Sequence, residues 1–116
     1  MFECAAFGKV IYRSKEYHQD IYVHPSGRVE PRRKELSKLV YGTSHYVVAA
    51  EVEVLLEEDP DCIIIGTGYN GSLHLTGEAR EFLDEKGVSC KELVTPRAIE
   101  EFNDSYNCSI LVHVTC

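Results

Sequence analysis

Two short segments hold most of the residue types that could do chemistry in this 116-residue chain: Gly66-Thr67-Gly68-Tyr69-Asn70-Gly71 and His113-Val114-Thr115-Cys116. The first matches Gly-x-Gly-x-x-Gly as a string. A phosphate loop of that kind works because a helix N-terminus follows directly, so its amides and dipole face the anion. Here Ser72-Leu73-His74-Leu75 intervene before the next helix-forming stretch. The spacing therefore suits glycines that permit positive φ in an irregular loop, with a small oxyanion on the loop amides as the ligand of second choice. His113 and Cys116 pair a base with a thiol nucleophile. A working thiolate needs a pKa well below the free value of about 8.5. The chain's own carboxylate beside Cys116 acts in the opposite direction, and His113 between two valines reads as a hydrogen-bonded core histidine. These segments define a candidate ligand site of Gly66, Thr67, Gly68, Tyr69, His113, Thr115 and Cys116, with no residue assigned a catalytic role.

Other constellations are weaker. Thr43-Ser44-His45 offers hydroxyls and an imidazole, but no nucleophile elbow and no placed acid, so helix capping is the expected use of Thr43 or Ser44. Pro31-Arg32-Arg33-Lys34-Glu35 is a basic turn that could meet an acidic partner or a phosphate. Arg32, Arg33, Lys34 and His45 are the candidate protein-contact residues. Cys4, Cys62, Cys90, Cys108 and Cys116 form an odd, widely spaced set without Cys-x-x-Cys. With His18, His24 and His74 scattered, no ligand spacing for a metal is visible, and no cofactor is expected. Reduced thiols fit, with Cys62 and Cys90 as small core residues.

The elements that would position these groups follow from periodicity. Gly8–Tyr12 and Tyr17–His24 are rich in Val, Ile and Tyr and read as strands around a hairpin turn at residues 13–16. Pro25-Ser26-Gly27 is a turn, and Arg28–Pro31 a short edge strand, since Pro31 cannot donate to a central ladder. Val48, Val52, Leu55 and Leu56 make one helical stripe that Asp59-Pro60-Asp61 stops. Cys62–Gly66 is a continuous apolar run that suits a strand covered on both faces. Thr76 caps a helix over residues 77–86 that Gly87 ends. Val88–Val94 is a strand. Thr95-Pro96 reads as a cap followed by proline at the first helical position, with Ile99, Phe102 and Tyr106 as the apolar stripe. Ile110–Val114 is a last buried strand. The second half thus reads strand, helix, strand, helix, strand, with parallel strands and right-handed crossovers. The fold class expected is α/β, three-layered, with a mixed central sheet, a C-terminal parallel βαβαβ unit and an N-terminal antiparallel hairpin. Ligands of such a sheet sit beyond the carboxyl ends of its strands, where residues 66, 95 and 113 would meet.

Composition narrows the function classes. The chain is 44% hydrophobic and carries 12 basic against 19 acidic residues, a net charge of −7. One domain of residues 1–116 is expected, able to bury roughly 65% of its unfolded surface. The longest aliphatic run is Ile63-Ile64-Ile65, far short of the roughly 20 apolar residues of a membrane span. Met1–Gly8 has no basic start and no long apolar stretch, which predicts a cytoplasmic protein. The net acidity argues against nucleic acid as a partner. Residues 1–38 hold eight basic and five acidic groups, +3, whereas residues 39–116 hold four and fourteen, −10. Such a dipolar chain could steer a protein partner or a second copy of itself, the latter pairing through the edge hairpin.

Phe7-Gly8, Arg32-Arg33-Lys34-Glu35, Tyr41-Gly42-Thr43-Ser44-His45, Ile63-Ile64-Ile65-Gly66-Thr67-Gly68 and His113-Val114-Thr115-Cys116 together carry a resemblance. Across nearly its full length the chain resembles a family of small uncharacterised archaeal and bacterial domains. Eukaryotic relatives of that family include an adipogenesis-associated protein and a mitochondrial complex I assembly factor. The resemblance implies a three-layer α/β fold with a mixed sheet. It implies no activity, cofactor or catalytic residue. The expectation is a non-enzymatic protein-binding or assembly-type module, with a small-anion or nucleotide-handling enzyme built on Gly66–Gly71 and His113 as the alternative.

Overall fold

A computed structural model describes residues 1–42 and 45–116. In chain order the elements are β1 (Phe2–Ala6), β2 (Lys9–Tyr12), β3 (Lys15–Tyr17), β4 (Ile21–Val23), β5 (Val29–Pro31), α1 (Glu35–Tyr41), β6 (Tyr46–Val47) and α2 (Ala49–Leu55). They continue with β7 (Cys62–Gly66), β8 (His74–Leu75), α3 (Gly77–Lys86), β9 (Ser89–Leu93), α4 (Thr95–Asp104) and β10 (Cys108–Val112). Among the described residues, the central sheet has the order β5-β4-β10-β7-β9. The β9, β7 and β10 strands run parallel, and β4 and β5 add on in antiparallel sense.

Two layers cover this sheet, and the strand period of two sorts the side chains between them. Ile64, Ile110, Val112, Ile21 and Val23 face a core shared with Ala98 and Ile99 of α4 and with Phe2, Val10 and Tyr12 of the N-terminal strands. Ile63, Ile65, Leu111 and Tyr22 face the opposite core, with Val52 and Leu55 of α2 and Ala79 and Leu83 of α3. The crossovers explain the split. From β7 the chain steps to β9 through α3, then back across β7 to β10 through α4. Right-handed connections in opposite directions place the two helices on opposite faces. The α/β, three-layer, mixed-sheet expectation and the parallel βαβαβ unit hold.

The front of the chain differs from the expectation. A strand, β1, precedes the first one expected, and Phe7-Gly8 is the turn after it rather than a strand. The β1, β2 and β3 strands form a separate antiparallel sheet. The hairpin turn is the two residues Arg13 and Ser14, both at positive φ (49° and 67°), as a two-residue connection requires. The run Tyr17–His24 is cut in two. Polar His18-Gln19-Asp20 breaks its alternation, so β3 stays in the outer sheet while β4 enters the central one beside β10. The Arg28–Pro31 edge strand is present as β5. Thr76 caps α3 through a 3.1 Å bond from the Ala79 amide. Tyr106 lies beyond α4 and is exposed, so it contributes nothing to that helix's buried stripe. The capping role expected of Thr43 or Ser44 falls outside the described residues.

Candidate functional site

The carboxyl ends of β9, β7 and β10 converge on one rim, and the loops that leave them are sewn together. The His113 amide donates to Gly66 O at 3.1 Å, the Thr67 amide to Leu93 O at 2.8 Å, and the Tyr69 amide to Thr115 O at 2.8 Å. Thr95 is not the side-chain cap of α4. Its hydroxyl donates to His113 O at 2.6 Å and accepts from the Gly68 amide at 3.0 Å, so it bridges two loops instead. Gly68 sits at φ +96°, and a Cβ there would fall closer than 3.0 Å to the Cys116 backbone and His113 Cδ2. Only glycine allows this approach.

The same bonds change what the glycine loop can do. The Asn70 and Ser72 amides both donate to Cys116 O, at 3.2 and 3.0 Å. With Thr67, Gly68 and Tyr69 also donating within the protein, the amides of residues 67–70 and 72 are already used and cannot converge on an oxyanion. The segment leads into β8, and α3 begins only at Gly77. The expectation of an anion on the Gly66–Gly71 amides is therefore corrected: the loop packs Thr115 and Cys116.

Behind the rim lies a buried ionic network that the sequence reading missed. Arg32 is 6% exposed. Its Nε and Nη2 form a bidentate pair with Glu51 at 2.7 and 3.1 Å, Nη1 donates to Asp20 Oδ2 at 3.0 Å, and Nη2 also donates to Tyr46 O at 3.0 Å. Tyr22 Oη donates to Glu51 Oε1 at 2.7 Å. Burial and the adjoining carboxylate push the Tyr22 phenol up. A planar guanidinium meets two carboxylates in this way, which a lysine cannot do. Arg32 is thus unable to dock a partner, and that expectation is corrected. Arg33 is exposed and pairs with Glu30 at 3.0 Å, and Lys34 Nζ lies 3.7 Å from Asp20. The formal charges of Asp20 and Glu51 are balanced by Arg32 and Lys34. Nothing in the sequence pattern marks Arg32 among its basic neighbours. The one available sign was Glu51, an acid at the start of the α2 stripe.

Asp20 links this network to the rim. His113 Nδ1 donates to Asp20 Oδ2 at 2.8 Å and the Val114 amide donates to Oδ1 at 3.0 Å. Desolvation by burial opposes ionisation of Asp20, yet these bonds and the neighbouring cations outweigh it and hold the pKa at about 2. With Nδ1 donating, the neutral imidazole carries its lone pair on Nε2. That nitrogen stands 3.5 Å from Thr115 Oγ1. The His45 ring lies edge-on to His113, with centroids 6.0 Å apart. One nitrogen of His45, one nitrogen of His113 and Cys116 Sγ all fall within 4.8 Å of one another. Of the sequence-predicted residues, the rim brings together Gly66, Thr67, Gly68, Tyr69, His113, Thr115 and Cys116, and adds His45 from across the chain.

The model for proteins of unknown function called DUF498/DUF598 matches residues 2–107. The chain belongs to the DUF498/DUF598 family. Its solved relatives share the fold closely. The conserved hypothetical protein PH1505 from Pyrococcus horikoshii OT3 is 35% identical with a TM-score of 0.93, over 100% of this chain and 99% of that one. The protein MT938 is 41% identical with a TM-score of 0.88, over 100% and 98%. An Mth938-like domain from Bordetella pertussis matches at 16% identity and a TM-score of 0.67 over 97% and 84%, a likeness of fold alone. This DUF498/DUF598 chain has, among its described residues, no helix long and apolar enough to cross a membrane.

Proposed function

We propose that this chain is a non-enzymatic binding module that docks another protein on the carboxyl-end rim of its sheet. One observation carries the reading. Phe7 is 64% and Val94 40% exposed; the Phe7 ring meets Tyr69 at 5.8 Å, and Val94 stands at the same rim just after β9, next to Thr95, whose amide donates to Gly68 O. Exposed apolar side chains grouped beside polar groups mark contact surfaces. Lys34, 3.7 Å from Asp20, and His45, beside His113, add polar groups at this end of the sheet. The rim is also held rigid, because its loops are cross-bonded, so docking costs little ordering entropy.

The test is affinity purification from the native host with the wild type, a Phe7→Ser/Val94→Ser double variant and a Tyr106→Ser control. Tyr106 is the most exposed aromatic among the residues whose burial is described and lies at the other end of β10, so it probes exposure without touching the rim. The same partner should be recovered with the wild type and the control and lost with the double variant. Undiminished recovery with the double variant overturns the reading. Light scattering on the pure chain separates a foreign partner from a homodimer, because a dimer through the rim would dissociate in the double variant alone.

A further inference from the structure

We propose that His45, His113 and Cys116 form a three-ligand site for a borderline divalent transition metal of the zinc class, with a fourth position open to solvent. The site stands independently of whether the rim docks a protein. Three observations carry it. The three donor atoms lie within 4.8 Å of one another. Tetrahedral zinc, with bonds of about 2.0–2.3 Å, spaces its ligands roughly 3.3–3.8 Å apart. Small side-chain rotations close that gap. The second observation is the support behind His113. Its Nδ1 donates to Asp20, which is itself fixed by Arg32 and the Val114 amide. A carboxylate on the far nitrogen of an imidazole is the recurring outer support of a metal-bound histidine, because it sets the tautomer and aims Nε2 at the ion. Third, Gly68 lets the loop close onto Cys116 and His113 where any other residue would displace them.

The donor set selects the ion. Two imidazoles and a thiolate favour zinc, cobalt or copper over the hard cations magnesium and calcium, which seek oxygen. His45 is exposed, Cys116 half-buried and His113 buried, so the open position faces water from the His45 side. A nucleophilic role for Cys116 fits less well. The loop amides that would stabilise an oxyanion are bonded to Thr115 O and Cys116 O. The second cluster of donors among the described residues, His24, Glu30 and Glu57, already encloses Arg28, whose Nη1 and Nη2 meet the two carboxylates at 3.0 and 2.8 Å. A resident cation there needs no metal.

Sequence spacing concealed this arrangement. In the sequence His45 precedes the parallel unit and His113 follows it, and the two-residue gap between His113 and Cys116 has no matching second pair of ligands nearby.

The experiment is titration of the reduced full chain with Co(II), followed by absorption, and displacement by Zn(II). One equivalent of Co(II) should produce a thiolate-to-cobalt charge-transfer band together with the d–d envelope of a low-coordinate site, and Zn(II) should abolish both. Cys116→Ser should lose the charge-transfer band. His45→Ala, at an exposed position, should keep its fold and bind Co(II) at least about tenfold more weakly. Asp20→Asn should retain the band while weakening binding by about 10- to 100-fold. Circular dichroism checks the fold of each variant. No binding, oxygen-type Co(II) spectra without the thiolate band, a band that survives Cys116→Ser, or unchanged affinity in His45→Ala each overturns the site.

Discussion

Replacing Arg32 by methionine tests the buried network that underlies the rim. The substitution keeps an unbranched side chain of similar reach and removes the guanidinium. Four hydrogen bonds vanish, two to Glu51 and one each to Asp20 and Tyr46 O. What remains is the larger cost: the Glu51 side chain, fully enclosed, and the Asp20 side chain, 1% exposed, lose their shared cation. Breaking a buried ion pair from one side costs about 3–5 kcal/mol. Unfolding entropy of about 2.1 cal/mol/K per residue gives a 116-residue chain roughly 0.24 kcal/mol/K at its melting point. The melting temperature should therefore fall by roughly 12–20 °C. Urea unfolding should show the same loss as a lower midpoint with an unchanged slope. Arg33→Met is the control. Its side chain is 46% exposed, and it should change stability by no more than about 0.5 kcal/mol. If Arg32→Met costs less than about 1 kcal/mol, the two carboxylates are not dependent on that cation and the network has been misread. The result also bears on partner assays, because charge reversal at Arg32 would abolish binding by unfolding the protein.

Asp20 should make the fold acid-sensitive in a defined window. Its folded pKa, about 2 against an ordinary 3.8, is depressed, so its contribution is complete above about pH 5 and is lost as pH falls toward 2, roughly 2–3 kcal/mol in all. Urea midpoints from pH 5 to 2 check this, and Asp20→Asn should flatten the profile. Gly68→Ala should destabilise by more than about 1 kcal/mol, since the residue needs positive φ and its Cβ would strike the Cys116 backbone. Gly77→Ala, with nothing within 4 Å of the added carbon, should be neutral or slightly stabilising in the same thermal scan. Thr76→Ala should cost about 1 kcal/mol through loss of the α3 cap, read by urea unfolding. Burial raises the thiols of Cys62 and Cys90 to about 12 and about 11, so iodoacetamide at pH 8 should modify exposed Cys4 well before either.

Periodicity was a good guide where burial is two-sided or striped. The run Ile63-Ile64-Ile65, the Val52/Leu55 stripe and the Thr76 cap each carry a local signal that the tertiary structure merely confirms. With three parallel strands read correctly, the meeting of residues 66, 95 and 113 at one rim followed from topology. The front of the chain was harder, because β3 and β4 are adjacent in sequence yet belong to different sheets, and only the polar trio His18-Gln19-Asp20 hints at the break. Arg32 and Arg33 have no local feature to tell them apart. Which one is buried is decided by Glu51 and Asp20, which arrive from α2 and from the entrance to β4. His45 belongs with His113 for the same reason: long-range register, rather than spacing along the chain, brings them together. The loop amides could not be judged from the Gly-x-Gly-x-x-Gly string either, since their acceptors are the carbonyls of Thr115 and Cys116.

The pairing of β4 with β10 joins residues 21–23 to residues 110–112 and sets the order in which a nascent chain can mature. Everything between these strands leaves the ribosome before the central sheet can close. Until then β4 and β7 each present an open ladder edge, and Asp20 waits for the histidine that will partner it. Non-local closure of this kind is slow compared with helix formation, and exposed ladder edges in the interval invite association between growing chains.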